Sequence, residues 1–503
     1  MAKRLVIFVH GWSVRSTDTY GKLPERLLAE ATAKGLDVDV EHLYLGKYIS
    51  FRDEVRVEDI ARAFQAALER EEPIQAAIAA RQKLVLITHS TGGPVVREWW
   101  YRHCVREGRA CPMSHLIMLA PANFGSALAT LGKGRVGRLK SWFQGVEPGQ
   151  GVLDWLELGS PESYDLNLAW MRQEPDWNGL SKVFSFVLTG QSIDRKLYDH
   201  LNSYTDETGS DGVVRVASAD LNCSYVRLEQ QFDPETIQKG DWSKTSLVAT
   251  EIRRAPRTAL AVLPGLSHSG SDMGILRSVK LRDTKPLNPH PTVQAVLRCL
   301  EVSTDKQYEK LCDEFDRLTA KTQEDERVER AETLFLFRRT FRRPRTTQLV
   351  VRVRDQNGRG IDDFDFLLTS WDPKAKEKAL RAPSPNLLPP GFFLDRQLNK
   401  RGRGTLTYYL NRDELERAPA LGLCVRPRPA PEPGSRQSNE HFVHYTPAEF
   451  AADKKLLLEH LKPNSTLVLD IVLKRVVRAG VFQLTRDLAP KDFTREEPGN
   501  ALS

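Results

Sequence analysis

The chain has 503 residues, 40 % hydrophobic and 28 % charged, with no run approaching the roughly 20 apolar residues of a bilayer-crossing helix. That length exceeds one ordinary core and asks for two or three units. The formal charge of +7 is compatible with an anionic surface such as phospholipid headgroups without demanding one, and Cys104, Cys111, Cys223, Cys299, Cys312 and Cys424 lack the paired spacing of a metal site or disulfide framework.

The N-terminus has a short basic start and an apolar run, Leu5 to Val9. At about five residues the run is shorter than a signal-peptide core, and it ends in His10-Gly11-Trp12 rather than at a cleavage site. It predicts a first β-strand and a chain made in the cytoplasm. Export by a machinery that reads no cleavable signal stays open. From there to about residue 300, short β-rich runs alternate with helical ones, the pattern of a mostly parallel sheet joined by crossover helices. The expected strands are 5–9, 38–44, 84–88, 115–120, 183–189 and 258–263, with helices over 57–71 and 95–105 among their connections. This α/β unit is assigned to residues 1–302.

An insertion over about 124–180 interrupts the rhythm and carries Trp142, Phe143, Trp155 and many leucines. It reads as a lid over an apolar cleft, the alternative being ordinary amphipathic helices packed on the body. Residues 303–345 are highly charged and end in an arginine cluster, FRRTFRRPR, which reads as a helical linker whose arginines pair with nearby acids; a nucleic-acid or headgroup patch is the other reading. From 346 to 503 the period changes to two, with a turn at Asn357-Gly358 and a proline-rich excursion over 426–437, predicting a β-sandwich-like accessory domain.

The chemistry concentrates in KLVLITHSTGGPVVREWW (83–100), where a buried strand runs into Ser90 and a helix starts just after it. A serine hydroxyl becomes a nucleophile when it is exposed on such a turn, held near a base and backed by its own backbone donors. Thr88 stands where the G-x-S-x-G pattern has its first glycine. Oxyanion donors are expected from the backbone N–H groups of Trp12, or Ser13, and Thr91. An orienting carboxylate is expected at Asp211, in the turn GSDGVV, with Asp194 as competitor. The base is His268, on a loop after an apolar strand. Of the other histidines, His89 is expected to turn away from the cleft, and His103 and His115 to be core. The order Ser90, Asp211, His268 is that of α/β-hydrolases.

Together LVIFVHGW, LITHSTGGPVVR, LAPANFGSALA and GSDGVVRVAS resemble the lipase and phospholipase-like branch of the α/β-hydrolases, which includes relatives of lecithin–cholesterol acyltransferase and bacterial esterases. The resemblance covers residues 4 to 300. It implies an α/β-hydrolase fold and a serine hydrolase of carboxylic esters, lipid or phospholipid acyl esters above all. It also implies Asp211 as triad acid, and residues 121–126 as a wall of the cleft. His10, Gly11, Phe124, Trp142 and Phe143 are the expected substrate-binding residues. Neither metal nor cofactor is assigned, and the expected partners are a lipid or ester substrate and a membrane surface, not nucleic acid. Bacterial phospholipase toxins delivered by contact-dependent secretion share this plan, which leaves a secretion-system or inhibitor partner open. Two alternatives stand beside this reading: an intracellular esterase, thioesterase or acyltransferase with the same triad, and a catalytically idle hydrolase fold that binds through its accessory domain.

Overall fold

The computed structural model describes residues 3–11, 18–50, 52–132, 149–193, 208–232, 245–281, 288–332, 338–402, 404–429, 443–451 and 454–477. Strands β1 (Arg4–His10), β2 (Val38–Tyr44), β3 (Lys83–His89), β4 (Met113–Leu119) and β5 (Phe184–Thr189) alternate with helices. Then follow β6 (Ser224–Phe232), β7 (Thr245–Arg254) and β8 (Ala259–Val262). Six of these make one sheet in the order β2-β1-β3-β4-β5-β8, every pair parallel. All seven residues of β1 and of β4 are buried, as central strands covered on both faces must be.

One face is covered by the helices Val57–Arg70 and Gly92–Trp99, with Phe64 edge-on to Trp99 at 5.0 Å. The other is covered by Leu23–Ala33, Pro291–Leu300 and Asp305–Asp325. The last of these begins the stretch expected to be a helical linker. The structure corrects that expectation twice. Tyr308, Leu311, Cys312 and Phe315 recur every three or four residues through its charged sequence and are buried in the core, so Asp305–Asp325 is an integral helix rather than a spacer. Beyond it, β9 (Val328–Glu332) and β10 (Arg338–Arg342) pair antiparallel instead of continuing the helix. Arg345 bonds not to upstream acids but to Asp413 and Glu416.

The described helices of the insertion, Ala127–Gly132, Gln150–Leu156 and Pro161–Arg172, are packed on the body. Val152, Trp155, Leu156 and Trp170 are buried in the main core. Trp142 and Phe143, the side chains expected to form the apolar lid, lie outside the described residues.

Residues beyond 345 supply β11 (Thr346–Asp355), β12 (Phe364–Thr369), β13 (Phe393–Asn399), β14 (Thr405–Asn411), β15 (Gly422–Pro427), β16 (Val443–His444), β17 (Ala448–Phe450), β18 (Thr466–Leu473) and β19 (Val476–Val477). The predicted turn forms, with Gly358 N–H bonded to Asp355 O, yet β11 and β12 do not pair along their length. Nine strands make one mixed, curled sheet in the order β12-β15-β17-β7-β6-β18-β11-β14-β13. Its centre is the β6–β7 hairpin, which leaves the first sheet between β5 and β8 and pairs in parallel with β18 and β17. A boundary drawn at residue 302 is therefore crossed by a continuous ladder.

The face of this sheet turned towards the hydrolase puts Val350 and Val468 into the main core and sets paired polar side chains beside them. Arg352 forms two bonds of 2.7 Å to Asp470 and lies 3.6 Å from the ring centroid of Tyr164 on the helix Pro161–Arg172. Tyr225 O–H donates to the same carboxylate. A buried ion pair persists in such a place when its remaining hydrogen-bonding capacity is met, as it is here. The opposite face buries Val351, Leu406, Leu410, Leu469 and Ile471 under β12 and β15.

Candidate active site

The site begins with the backbone of β3. Its apolar run ends at His89, and Ser90 then takes φ +53°, a left-handed conformation that costs a non-glycine residue about 1 kcal/mol or more and is held by its surroundings. Ser90 N–H bonds to Leu119 O at 3.0 Å, and Ser90 O accepts from Ala122 N–H at 3.3 Å, so the neighbouring strand end clamps the turn on both sides. The helix Gly92–Trp99 leaves immediately. A Cβ on Gly92 would lie 3.3 Å from the Cβ of Thr88, and one on Gly93 would lie 2.8 Å from Pro121 Cβ. Threonine at position 88 is thus accommodated because the other side of the elbow is glycine.

His268 and Asp211 arrive on the loops that follow β8 and precede β6. The Ser90 hydroxyl lies 3.1 Å from His268 Nε2, and His268 Nδ1 lies 2.9 Å from Asp211 Oδ2. The second carboxylate oxygen, Oδ1, accepts the backbone N–H groups of Val213 at 3.0 Å and Val214 at 2.8 Å. Backbone also ties the two loops together: His268 N–H donates to Asp211 O at 2.9 Å. Asp211 is fully buried and His268 nearly so. With both carboxylate oxygens occupied by donors, the imidazole carries its proton on Nδ1 and offers Nε2 to the serine.

His89 does not turn away as expected. Its ring packs on that of His268, centroids 4.7 Å apart, and its Nε2 lies 3.3 Å from His268 O. Burial, with the neighbouring His268 imidazole second, holds the His89 pKa well below the ordinary histidine value. It is therefore a neutral ring that donates to the His268 carbonyl. His115 is core, bonded to Ser114 and to Val302 O, whereas His103 is only half-buried.

The Thr91 N–H, at the start of the nucleophile helix, has no acceptor among the described residues and sits at the helix end where partial positive charge collects. Its expected companion at Trp12, with Ser13, lies outside the described residues, as do Trp142, Phe143 and Asp194. Gly11 is described and half-exposed at the end of β1. The His10 side chain is committed elsewhere: its Nε2 is 2.8 Å from His42 Nδ1, and its ring stacks on Tyr44 at 4.3 Å. Burial, then His42, pushes the His10 pKa down to about 3, so it buttresses the end of β1 as a neutral ring rather than facing a substrate. Phe124 is buried in the main core, and its N–H donates to Ser218 O beneath the acid loop.

Two contacts at the site were not anticipated from the sequence, although Ser126 falls in the stretch 121–126 expected to wall the cleft. Ser126 O–H donates to Val213 O at 2.6 Å and fixes the acid loop from the cleft side. Four residues beyond Asp211, the buried Arg215 pairs with Asp395 on β13, and its guanidinium lies 4.1 Å from the Tyr409 ring centroid. The second sheet thus holds the acid loop from behind. Among the described residues no group of three or more His, Cys, Asp or Glu side chains is placed to bind a metal ion.

No family model matches the chain, and none of the curated proteins does. Solved structures do. The phospholipase PlaB from Legionella pneumophila is 41 % identical over 98 % of both chains, with a TM-score of 0.83. PlaB in complex with thio-NAD is 40 % identical over 97 % of this chain and 98 % of that one, with a TM-score of 0.80. The match spans the second sheet as well as the hydrolase core, and the chain belongs to the family of the Legionella phospholipase PlaB, within the α/β-hydrolases.

Proposed function

We propose that the chain is a phospholipase that cleaves acyl ester bonds of glycerophospholipids by a Ser90–His268–Asp211 mechanism. The observation that carries this reading is the unbroken hydrogen-bonded line from Ser90 Oγ through His268 to Asp211, starting from a serine on a strained elbow. Similarity to PlaB along the whole chain supports the lipid substrate.

In the first half-reaction His268 Nε2 takes the Ser90 proton as Oγ attacks the ester carbonyl carbon. The oxyanion gathers the N–H of Thr91 and, in this reading, that of Trp12. Asp211, its charge held by Val213 and Val214, stabilises the imidazolium that forms. Collapse breaks the ester C–O bond, and His268 passes its proton to the departing glycerol oxygen, leaving the acyl group on Ser90. Water then enters, gives a proton to Nε2, attacks the acyl carbon and releases the fatty acid as Ser90 recovers its proton.

Labelling by a fluorophosphonate together with mass spectrometry of products from a mixed phospholipid and glyceride panel tests the reading. The expected result is a labelled Ser90, release of lysophospholipid and fatty acid, and loss of both in Ser90→Ala by about 10⁵-fold or more in kcat. A folded protein that takes no label, or that releases fatty acid only from soluble esters, refutes it.

A further inference from the structure

Strand β13 ends the second sheet and, among the described residues, pairs only with β14, leaving its other edge without a strand partner there. Its two faces differ. Asp395, Gln397 and Asn399 point at the hydrolase, meeting Arg215, Ala127 O and Leu158 O respectively. The register passes from Phe393 opposite Leu410 to Asp395 opposite Tyr409, so Leu394 is the extra residue of a bulge. Such a bulge puts two residues against one, and strand alternation then turns Phe393, Leu394, Arg396 and Leu398 to the outer face. Phe393 confirms this side, its ring standing 6.3 Å from that of Tyr408, whose hydroxyl bonds to Phe366 O in the overlying layer. That layer covers β14 but not β13. Phe393 and Leu398 are each 45 % exposed, and Leu394 is 38 % exposed. Three of the nine exposed large hydrophobic side chains among the described residues thus fall within six positions on one edge strand. Between and beside them, Arg396 and Lys400 are exposed and make no ion pair among the described residues.

An exposed apolar edge invites either another copy of the strand or an apolar medium. The bulge breaks the register that strand pairing needs, and two cations on a self-pairing edge would face their own copies. Apolar side chains interleaved with unpaired cations match the boundary of an anionic bilayer, where acyl chains lie beneath phosphates. The position matters too. Gln397 reaches Ala127 O, next to Ser126, which bonds the Asp211 loop, and Asp395 reaches that loop through Arg215.

We propose that the outer face of β13 docks this enzyme onto an anionic phospholipid surface, Phe393, Leu394 and Leu398 entering the acyl boundary while Arg396 and Lys400 meet headgroup phosphates. The proposal rests on the phospholipase reading and names the surface by which that site meets its substrate.

The test is sedimentation of the full chain with vesicles of phosphatidylglycerol and phosphatidylcholine, in a Ser90→Ala background so that the lipid survives. Replacing Phe393, Leu394 and Leu398 with serine is expected to lower partitioning by at least about tenfold, while the same triple variant with Ser90 restored hydrolyses a short soluble ester within about twofold of wild type. Arg396→Glu with Lys400→Glu, which leaves the apolar packing intact, is expected to lower binding to anionic vesicles and not to pure phosphatidylcholine. If the serine variant loses soluble-ester hydrolysis, the charge-reversal variant alone decides. Unchanged partitioning in the deciding variants overturns the proposal. So does unchanged partitioning accompanied by a lower mass in light scattering, which would assign the face to a second copy of the chain. Vesicle binding by a wild-type protein that hydrolyses no ester would sink the phospholipase reading and leave the docking face standing.

Discussion

Asp211→Asn separates the geometry of the acid from its charge. Asp211 Oδ1 accepts two backbone N–H groups while Oδ2 accepts from His268 Nδ1, all within a fully buried loop. An asparagine satisfies both backbone donors only with its carbonyl oxygen in the place of Oδ1 and its NH2 in the place of Oδ2. The NH2 then donates to Nδ1, which forces the imidazole proton onto Nε2, where the serine needs an acceptor. The reverse orientation restores the tautomer but leaves two buried N–H groups facing a donor, at about 1–3 kcal/mol each and about 2–6 kcal/mol together. With about 1.4 kcal/mol per factor of ten, the productive arrangement is depleted between about thirtyfold and about twenty-thousandfold. The lost stabilisation of the imidazolium adds to this, so kcat is expected to fall by about 10³ to 10⁴ with KM little changed. The assay is steady-state hydrolysis of a short soluble ester, with circular dichroism to establish that the variant is folded. A loss below about tenfold in folded protein, or a larger loss from Asp194→Asn, would refute the assignment of the acid.

Arg215→Met keeps much of the side chain's bulk but removes its ion pair with Asp395 and its contact with Tyr409. We expect kcat on a soluble ester to fall by about ten- to a hundredfold with KM held, as the acid loop loses its rear support, and unchanged kcat would show that Ser126 and the Asp211 turn suffice without it. Acid should also weaken the fold. Burial is the first cause that pushes His10 and His115 down to about 3 and His290 to about 4, aided by His42, Arg4 and Arg26 respectively. These groups stay neutral in the folded chain while their unfolded counterparts take protons below about pH 6.5, so their stabilising contribution is full above that pH and falls as it drops. Burial raises Asp220 to about 7, which works the opposite way over the same window. With His89, which burial also keeps neutral, four histidines against Asp220 give a net loss of about 3 to 4 kcal/mol between pH 6 and pH 5, measurable from urea midpoints. His115→Gln is expected to flatten that slope by about 1 kcal/mol, and an unaltered slope would remove His115 from the account.

The first sheet was legible because its strands are buried on both faces. Leu5 to Val9 and Leu84 to Ile87 are continuous apolar runs, and the observed strands extend the predicted 5–9 and 84–88 by one residue at each end. Ser90 was singled out by its flanking strand and glycines, and Asp211 and His268 by the loops that carry them; the structure brings these three side chains into one hydrogen-bonded line. What stayed hidden depends on partners distant in the chain. Strands β6 and β7 alternate the same way whichever sheet receives them, and nothing in SYVRLEQQF points to Thr466–Leu473 as its neighbour. Arg215 and Asp395 are separated by 180 residues. The charged composition of 303–325 masked an apolar stripe of one residue per turn, so a core helix read as a spacer. His89 was misread because alternation along a strand gives the side of a ring but not what a distant loop lays upon it.

The hairpin β6–β7 sets the order in which the molecule can be built. During synthesis it emerges about a hundred residues before β11 and about two hundred before β17 and β18, so the strands that complete its ladder are made long after it. Until then the half-made enzyme carries two naked strand edges, and the acid loop lacks Asp395 behind it. A hydrolase stopped after residue 345 is expected to be a sticky fragment in need of chaperones rather than a smaller esterase.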